Sequence, residues 1–242
     1  MKIGIIHIGD ELLTGKINPY PFEMISAIQS KNAEVSSIQI ITDDIDIIVK
    51  ALDHSQKSDI DLLIVTGGLG PTLDDLTREA VAEYMGVDLE IDKKSLADLE
   101  NFMKLRHPDK ELAEISKRMV RIPKGSTAVH NICGAACGIK AQAGKMTIFC
   151  LPGFPNEMMP MFEESILPLI IGNEEVSEEL TTFVNESDID PYLRQISEKY
   201  HVRVASLPSL EWKTKGNKVV IKGRKEEVLA ARKELENCIN SL

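Results

Sequence analysis

Short apolar runs alternate with segments of helical periodicity through most of the chain. The runs at Ile3–Ile8, Val35–Ile41 and Leu62–Val65 are rich in β-branched side chains, as buried strands are. Between them, apolar residues recur every three or four positions, which is typical of amphipathic helices. This alternation indicates βαβ units, in which helices connect parallel strands. We therefore predict an α/β fold built on a parallel sheet.

The pattern of predicted elements changes toward the end of the chain. We predict helices at Pro21–Lys31, after Asp43 or Asp44, and at Asp75–Met85, Asp92–Arg106, Glu111–Met119 and Pro155–Ile171, with a further strand at Thr147–Leu151. Gly172-Asn173-Glu174-Glu175 then marks a boundary. One domain is expected over residues 1–172. A small α+β domain is expected over residues 173–242. Its predicted strands are Leu180–Val184, Val202–Leu207 and Val219–Ile221, and its predicted helices are Asp190–Tyr200 and Lys225–Ile239. Pro191 is expected at the first position of the helix Asp190–Tyr200.

Charge and hydropathy narrow the classes of function. The 242 residues include 38 acidic and 28 basic side chains, a formal net charge of −10. This excess argues against general binding of nucleic acid or anionic membranes, although a local basic patch could still bind phosphate. No apolar stretch is long enough to cross a bilayer or to form a signal segment. We expect a cytoplasmic protein.

Unusual loops follow three of the predicted strands. Gly9-Asp10-Glu11 follows the first, Thr66–Asp75 (TGGLGPTLDD) the third, and Pro152-Gly153 the strand at Thr147–Leu151, with Glu157 close behind. A fourth candidate, Asn131–Gly138, has small residues that allow close approach to its backbone. In open parallel sheets, ligands bind at the carboxyl ends of the strands. The sequence therefore predicts a binding site where these loops meet.

The glycines of TGGLGPTLDD have two interpretations. Gly67, Gly68 and Gly70 expose backbone N–H groups beside a helix N-terminus, an arrangement that binds phosphate. A tight turn from strand to helix also needs glycine, without any ligand. The loop is not a Walker A motif, because no Gly-Lys-Ser/Thr follows. Spacing alone does not separate a phosphate cradle from a simple turn.

The adjacent Asp74 and Asp75 raise a similar question. Thr72-Leu73-Asp74-Asp75 fits the Ser/Thr-x-x-Asp/Glu start of a helix, where the dipole stabilises carboxylates. Beside a phosphate, however, carboxylates repel the ligand unless a divalent cation bridges them. The combination therefore points to a metal–phosphate site, to which Asp10 and Glu11 would add oxygen ligands. Glu157 either stabilises the first turn of its helix through the helix dipole or belongs to the binding site.

Four motifs, taken in order, resemble the N-terminal domain of the CinA family (competence/damage-inducible protein A). They are GDELL-x-G from Gly9, TGGLGPT-x-DD-x-T from Thr66, N-x-x-G-x-A-x-G from Asn131 and LPG-x-P-x-EM from Leu151. The resemblance implies the three-layer fold of molybdopterin-binding proteins over Ile3–Ile171, and the tail resembles the family's small KH-like domain. The family's C-terminal deamidase domain is not among the 242 residues, so deamidase activity is not expected. Lys16–Pro21 departs from the family's Asp-Thr-Asn run.

The resemblance also implies an activity, the hydrolysis of ADP-ribose to AMP and ribose 5-phosphate. The cofactor would be Mg²⁺, Mn²⁺ or Co²⁺, with Asp75 and Glu157 as catalytic residues and with metal ligands at Asp10, Glu11, Asp74 and Asp75. The substrate would contact Gly9, Gly67, Gly68, Gly70, Pro71, Thr72, Asn131, Gly134, Pro152 and Gly153. The alternative is a non-catalytic protein that binds molybdopterin or a nucleotide in the same loops. A homo-oligomer, either a dimer or a trimer, is expected, with no nucleic-acid or membrane partner.

Overall fold

The computed structural model of the protein describes residues 1–15, 22–106, 108–109, 111–172 and 174–241. Contacts divide the chain into two compact units, Met1–Ile171 and Gly172–Leu242, one residue from the predicted boundary. The segment Lys16–Pro21, which departs from the CinA pattern, lies outside the described residues. No helix in the described ranges is both long and apolar enough to span a bilayer.

The first unit is a mainly parallel sheet with helices on both faces. Its elements are β1 (Ile3–Ile8), α1 (Asp10–Leu13), α2 (Phe22–Ser30), β2 (Val35–Ile41), α3 (Ile45–Lys57), β3 (Leu62–Thr66), α4 (Thr77–Met85), β4 (Leu89–Ile91), α5 (Lys93–Arg106), β5 (Arg121–Pro123), β6 (Thr127–Val129), β7 (Gly138–Ala143), β8 (Met146–Leu151) and α6 (Pro155–Ser165). The sheet order is β2-β1-β3-β8-β7-β6. The first four strands in that order are parallel, whereas β7 and β6 are antiparallel to their neighbours. The three-layer α/β prediction is confirmed.

The two faces of the sheet bury separate apolar cores. One face packs against α3 and α4 through residues such as Ile48, Leu52 and Val81. The other face packs against α2 and α6, including Met24, Ile28 and Phe162. Every residue of β1 and β3 is buried, because these central strands are covered on both sides. This double coverage explains their continuous apolar sequence, and it leaves the carboxyl ends of the strands as the accessible edge.

Several predicted elements differ from the observed ones. The predicted helix Glu111–Met119 is a short 3-10 helix at Glu114–Val120. The helix predicted from Asp75 begins two residues later, at Thr77. The helix predicted over Pro155–Ile171 ends at Ser165 and is followed by a 3-10 turn. The strands β4 to β7 were not predicted, because β4 to β6 have only three residues each and β7 (GIKAQA) mixes small and polar residues without an apolar run.

The second unit is a three-stranded antiparallel sheet covered by helices. Its elements are β9 (Glu175–Thr182), α7 (Glu186–Tyr200), β10 (Arg203–Leu207), α8 (Trp212–Lys215), β11 (Asn217–Arg224) and α9 (Lys225–Ser241), with sheet order β10-β11-β9. The sheet packs against α7 and α9 around Leu193, Val219 and Val228. The prediction that Pro191 starts α7 is wrong, because the Asp188 and Ile189 amides already donate to the Asn185 carbonyl.

Candidate functional site

A cleft of about 570 Å³ opens at the carboxyl ends of β1, β3 and β8. Its volume lies within the usual range for small-molecule sites. Most of the predicted site residues line it, namely Gly9, Glu11, Gly67, Gly68, Gly70, Pro71, Thr72, Asp74, Asp75, Pro152, Gly153 and Glu157. Three predicted residues do not line this cleft, namely Asp10, Asn131 and Gly134. The expectation that ligands bind at the carboxyl ends of parallel strands therefore located the cleft, but it did not identify every residue that lines it.

Hydrogen bonds within the glycine loop determine which amides can reach a ligand. The Gly67 N–H donates to the Leu151 carbonyl at 3.0 Å, and the Gly70 N–H donates to Asp75 Oδ1 at 2.8 Å. The amides of Gly68 and Leu69 have no acceptor among the described residues. Of the predicted anion-facing glycines, Gly68 alone thus retains its donor, and Leu69 adds a second that sequence analysis missed.

The Asp75 carboxylate closes this loop. Its Oδ2 atom accepts from the Thr72 N–H at 2.9 Å and from the Thr72 hydroxyl at 2.5 Å, while Oδ1 binds the Gly70 amide. The Thr-x-x-Asp pattern therefore forms, but it stabilises the loop before α4 rather than the helix start. The division of roles expected here, with Thr72 at the helix start and Asp75 facing a metal, needs correction because three donors already surround the Asp75 oxygens.

Two arginines hold the loop from its other side, and neither was predicted. Arg78 is 2% exposed and donates to backbone carbonyls of Leu69, Met119, Arg121 and Cys137. Arg118 donates to the carbonyls of Thr72 and Asp75 and pairs with Glu79 at 3.1 Å. Buried carbonyls need such partners. Sequence patterns do not reveal a buried arginine, because arginine side chains are usually exposed.

Carboxylates from neighbouring loops line the wall of the cleft. Asp43, which follows β2, accepts the Asp10 amide at 3.0 Å, and the Asp10 carboxylate accepts the Thr42 hydroxyl. Burial raises the pKa of the Asp43 carboxyl. The bond from the Asp10 amide opposes this rise, and repulsion from nearby carboxylates adds to it, these being Asp10, Glu11 and Asp74. Asp43 was considered only as a helix cap. That cap is Asp44, which accepts from the Ile47 amide.

The predicted metal ligands do not form one coordination set. Among the described residues, no group of three or more His, Cys, Asp or Glu side chains is arranged to hold a metal ion. The Asp75 carboxylate accepts hydrogen bonds within its own loop, and the Asp10 carboxylate accepts one from the Thr42 hydroxyl. Mg²⁺ commonly takes only one or two protein carboxylates and completes its shell with substrate phosphates and water. The acidic side chains along the wall of the cleft, Glu11, Asp43 and Asp74, suit a cation that also binds substrate phosphates and water, rather than one coordinated by the protein alone.

Glu157 is held at the first turn of α6 by the Asn131–Gly138 loop. Asn131 Nδ2 donates to Glu157 Oε2 at 2.7 Å and to the Ala136 carbonyl at 2.9 Å, and Asn131 Oδ1 accepts the Gly134 amide. A Cβ atom at Gly134 would lie 1.9 Å from Glu157 Oε2, so a larger residue there would push this carboxylate away from Asn131. Asn131 and Gly134 therefore act at the cleft through Glu157. The other oxygen, Oε1, is left without a partner in the described ranges.

Comparison with known proteins agrees with this architecture. Residues 4–171 match the family model described as "Probable molybdopterin binding domain". A protein of Pyrococcus abyssi is 34% identical over 240 residues, covering 95% of this chain and 93% of its own length. A CinA-like protein of Citrifermentans bemidjiense is 35% identical over 176 residues, which cover 72% of this chain but only 42% of that protein.

A solved structure is similar as well. The crystal structure of CinA from Thermoplasma acidophilum, a protein whose function is given as unknown, shares 29% sequence identity and a TM-score of 0.59. The match covers 67% of this chain and 94% of that one. The sequence motifs, the three-layer unit and these relatives agree. The chain therefore belongs to the molybdopterin-binding domain family and is CinA-like.

Proposed function

We propose that the cleft binds a phosphorylated small molecule and hydrolyses its pyrophosphate bond, with ADP-ribose as the first candidate substrate. One observation carries this proposal: the unpaired amides of Gly68 and Leu69 lie in the same cleft as carboxylates from neighbouring loops. Amides at a strand-to-helix loop bind phosphate oxygens, and carboxylates bind the divalent cation that accompanies them.

The carboxylates that would contact the cation are Asp43, Glu11 and Asp74, since Asp75 is used within its loop. When bound, such an ion withdraws charge from the phosphoryl oxygens and makes a coordinated water more acidic. In the overall reaction, water adds to one phosphorus and the P–O–P bridge breaks. AMP and ribose 5-phosphate leave, with the two hydrogens of the water divided between them or released to solvent.

Glu157 would orient the attacking water or a ribose hydroxyl and, as a carboxylate, accept a proton from it. Asn131 fixes one carboxylate oxygen and leaves the other free to accept a hydrogen bond. We predict that Glu157→Gln lowers kcat about 100-fold, because the amide cannot accept a proton, while KM changes little. Glu163→Gln, an exposed acid on the same helix, is the matched control. Equal rates for Glu157→Gln and the control would remove Glu157 from the reaction.

The direct test is release of AMP from ADP-ribose with Mg²⁺, Mn²⁺ or Co²⁺ in turn. We expect AMP and ribose 5-phosphate in equal amounts with at least one of these ions and none with a chelator present. No AMP with any of the three would contradict the hydrolytic proposal.

Binding without hydrolysis is the second candidate, and two observations favour it. The family is described as a molybdopterin-binding domain, and the described residues lack a group of three metal-ligating side chains. Calorimetry separates the candidates: a molybdopterin or nucleotide bound tightly without turnover would support a carrier or sensor. Self-association stays a prediction for either candidate and is tested by a mass measurement in solution, where a clean monomer would contradict it.

Asp43 provides a test of the cation that does not depend on turnover. Its raised pKa means that its ionised form destabilises the folded state, so we expect Asp43→Asn to raise Tm at pH 7. This gain should vanish below about pH 4, where the carboxyl is protonated in the unfolded chain as well. Mg²⁺ should raise the Tm of the wild type and of Glu90→Gln, an exposed acid on β4, more than that of Asp43→Asn. An equal response of all three would place the cation elsewhere.

A further inference from the structure

A histidine that the proposed reaction does not use lies in the lining of the cleft. His7, near the carboxyl end of β1, is 5% exposed. Its Nδ1 atom lies 2.6 Å from the Thr66 hydroxyl oxygen, on the paired residue of β3. Its Nε2 atom is buried and has no hydrogen-bond partner among the residues that the structure describes. A buried polar atom without a partner destabilises the fold, so native structures rarely contain one without a reason.

Counting hydrogens identifies Nε2 as a donor. Burial lowers the pKa of His7, so the ring is neutral at pH 7 and carries one N–H. With the hydrogen on Nδ1, both the Thr66 hydroxyl hydrogen and the Nε2 lone pair would lack partners. With the hydrogen on Nε2, the Thr66 hydroxyl donates to Nδ1 and only one group, the Nε2–H, stays unpaired. The second arrangement leaves fewer buried groups unsatisfied.

The position of this donor indicates what it would meet. Thr66 directly precedes Gly67, so the imidazole lies at the base of the loop whose Gly68 and Leu69 amides are unpaired. A third neutral donor beside two free amides favours an anionic acceptor, because hydrogen bonds to a charged oxygen are stronger than those between neutral groups. The acidic side chains of the cleft come from the loops after β1 and β2, from the end of TGGLGPTLDD itself and from the first turn of α6.

From these contacts we infer that His7 is a ligand-binding residue whose Nε2–H donates to a phosphoryl oxygen in the cleft. This inference rests on the proposed function and adds a specificity to it, namely recognition of a phosphate ester or diphosphate rather than of an uncharged ligand. Thr66 positions the ring by donating to Nδ1 and so fixes the tautomer.

The test is ¹⁵N NMR of the histidine side chains of the wild type, titrated with AMP and, separately, with inorganic phosphate. The His7 signals are assigned by their loss in His7→Gln. We expect a protonated Nε2 in the free protein and a change in its resonance on addition of AMP, while the signal of the exposed His54 on α3 stays in place.

Affinities measured by calorimetry complete the experiment. His7→Phe should weaken AMP binding about 10- to 100-fold, as expected for one hydrogen bond to a charged group. His7→Gln, whose amide keeps a donor near the Nε2 position, should recover most of the loss, and His54→Gln should bind as the wild type does. The inference is overturned if the wild type binds AMP while the His7 resonance stays unchanged, even if His7→Phe does not fold. No binding of AMP or phosphate by the wild type would instead overturn the proposed function itself.

Discussion

Asp75→Asn is expected to remove almost all turnover while leaving the fold intact. The Asp75 oxygens receive three donors, the Gly70 amide on Oδ1 and the Thr72 amide and hydroxyl on Oδ2. In the asparagine variant, one of these positions presents an NH₂ group to a backbone N–H, so the loop cannot keep its conformation. Loss of preorganised phosphate donors should lower kcat/KM about 1,000-fold. The fold should persist, because α4 starts beyond this residue and is anchored by Arg78.

Asp74→Asn is the matched control for this result. Asp74 is the adjacent, exposed carboxylate, and the Gly70 amide donates to Asp75 rather than to it. We expect its replacement to alter the dependence on metal concentration more than the maximal rate. Circular dichroism checks the fold of both variants. If Asp75→Asn were no worse than Asp74→Asn, the loop-closing role of Asp75 would be wrong.

Gly67→Ala should produce the largest loss of stability among the loop variants. Gly67 has φ 98°, and a Cβ atom there would lie 2.2 Å from the carbonyl oxygen of Ile8. The strain therefore combines a left-handed backbone with a collision against a buried strand. We expect the free energy of unfolding to fall by about 3 kcal/mol, as read from urea denaturation. Phosphate binding should be lost as well, because β1 and β3 must separate to admit the methyl group.

Gly125→Ala isolates the conformational part of this cost. Gly125 has φ 85° in the turn after β5, but a Cβ atom there would meet no atom of the described ranges within 4 Å. Its replacement by alanine should lower the free energy of unfolding by about 1 kcal/mol, which is the penalty of the left-handed conformation alone. The collision account fails if the two alanine variants unfold at the same urea concentration.

The sheet was predictable to the extent that its strands are buried on both faces. β1 and β3 have continuous apolar sequences because helices cover both their sides, and the sequence located them to within a residue. Antiparallel β6, at the sheet's edge, and β7, beside it, were missed, because both have exposed positions and neither needs a long apolar run. Asn185, the cap residue of α7, was also overlooked in favour of Pro191, although both residues are common at helix starts.

The site was predictable in its position but not in the direction of its side chains. The loops after β1, β3 and β8 meet in one cleft because the carboxyl ends of parallel strands share an edge. The same rule, applied to β2, would have found Asp43. That Asp75 turns into its own loop depends on hydrogen bonds that spacing does not reveal. The burial of His7 follows from its place in the predicted strand Ile3–Ile8, but its contact with Thr66 and the buried position of Arg78 depend on tertiary packing, which carries no local signal.

A crystal structure of the protein with AMP and Mg²⁺ tests the central claim most directly, because it shows where the phosphate binds. We predict that the phosphate oxygens lie within hydrogen-bond distance of the Gly68 and Leu69 amides, with the cation between the phosphate and the carboxylates of the wall. AMP bound with its phosphate away from this loop, or a cleft left empty at saturating AMP, would contradict the account.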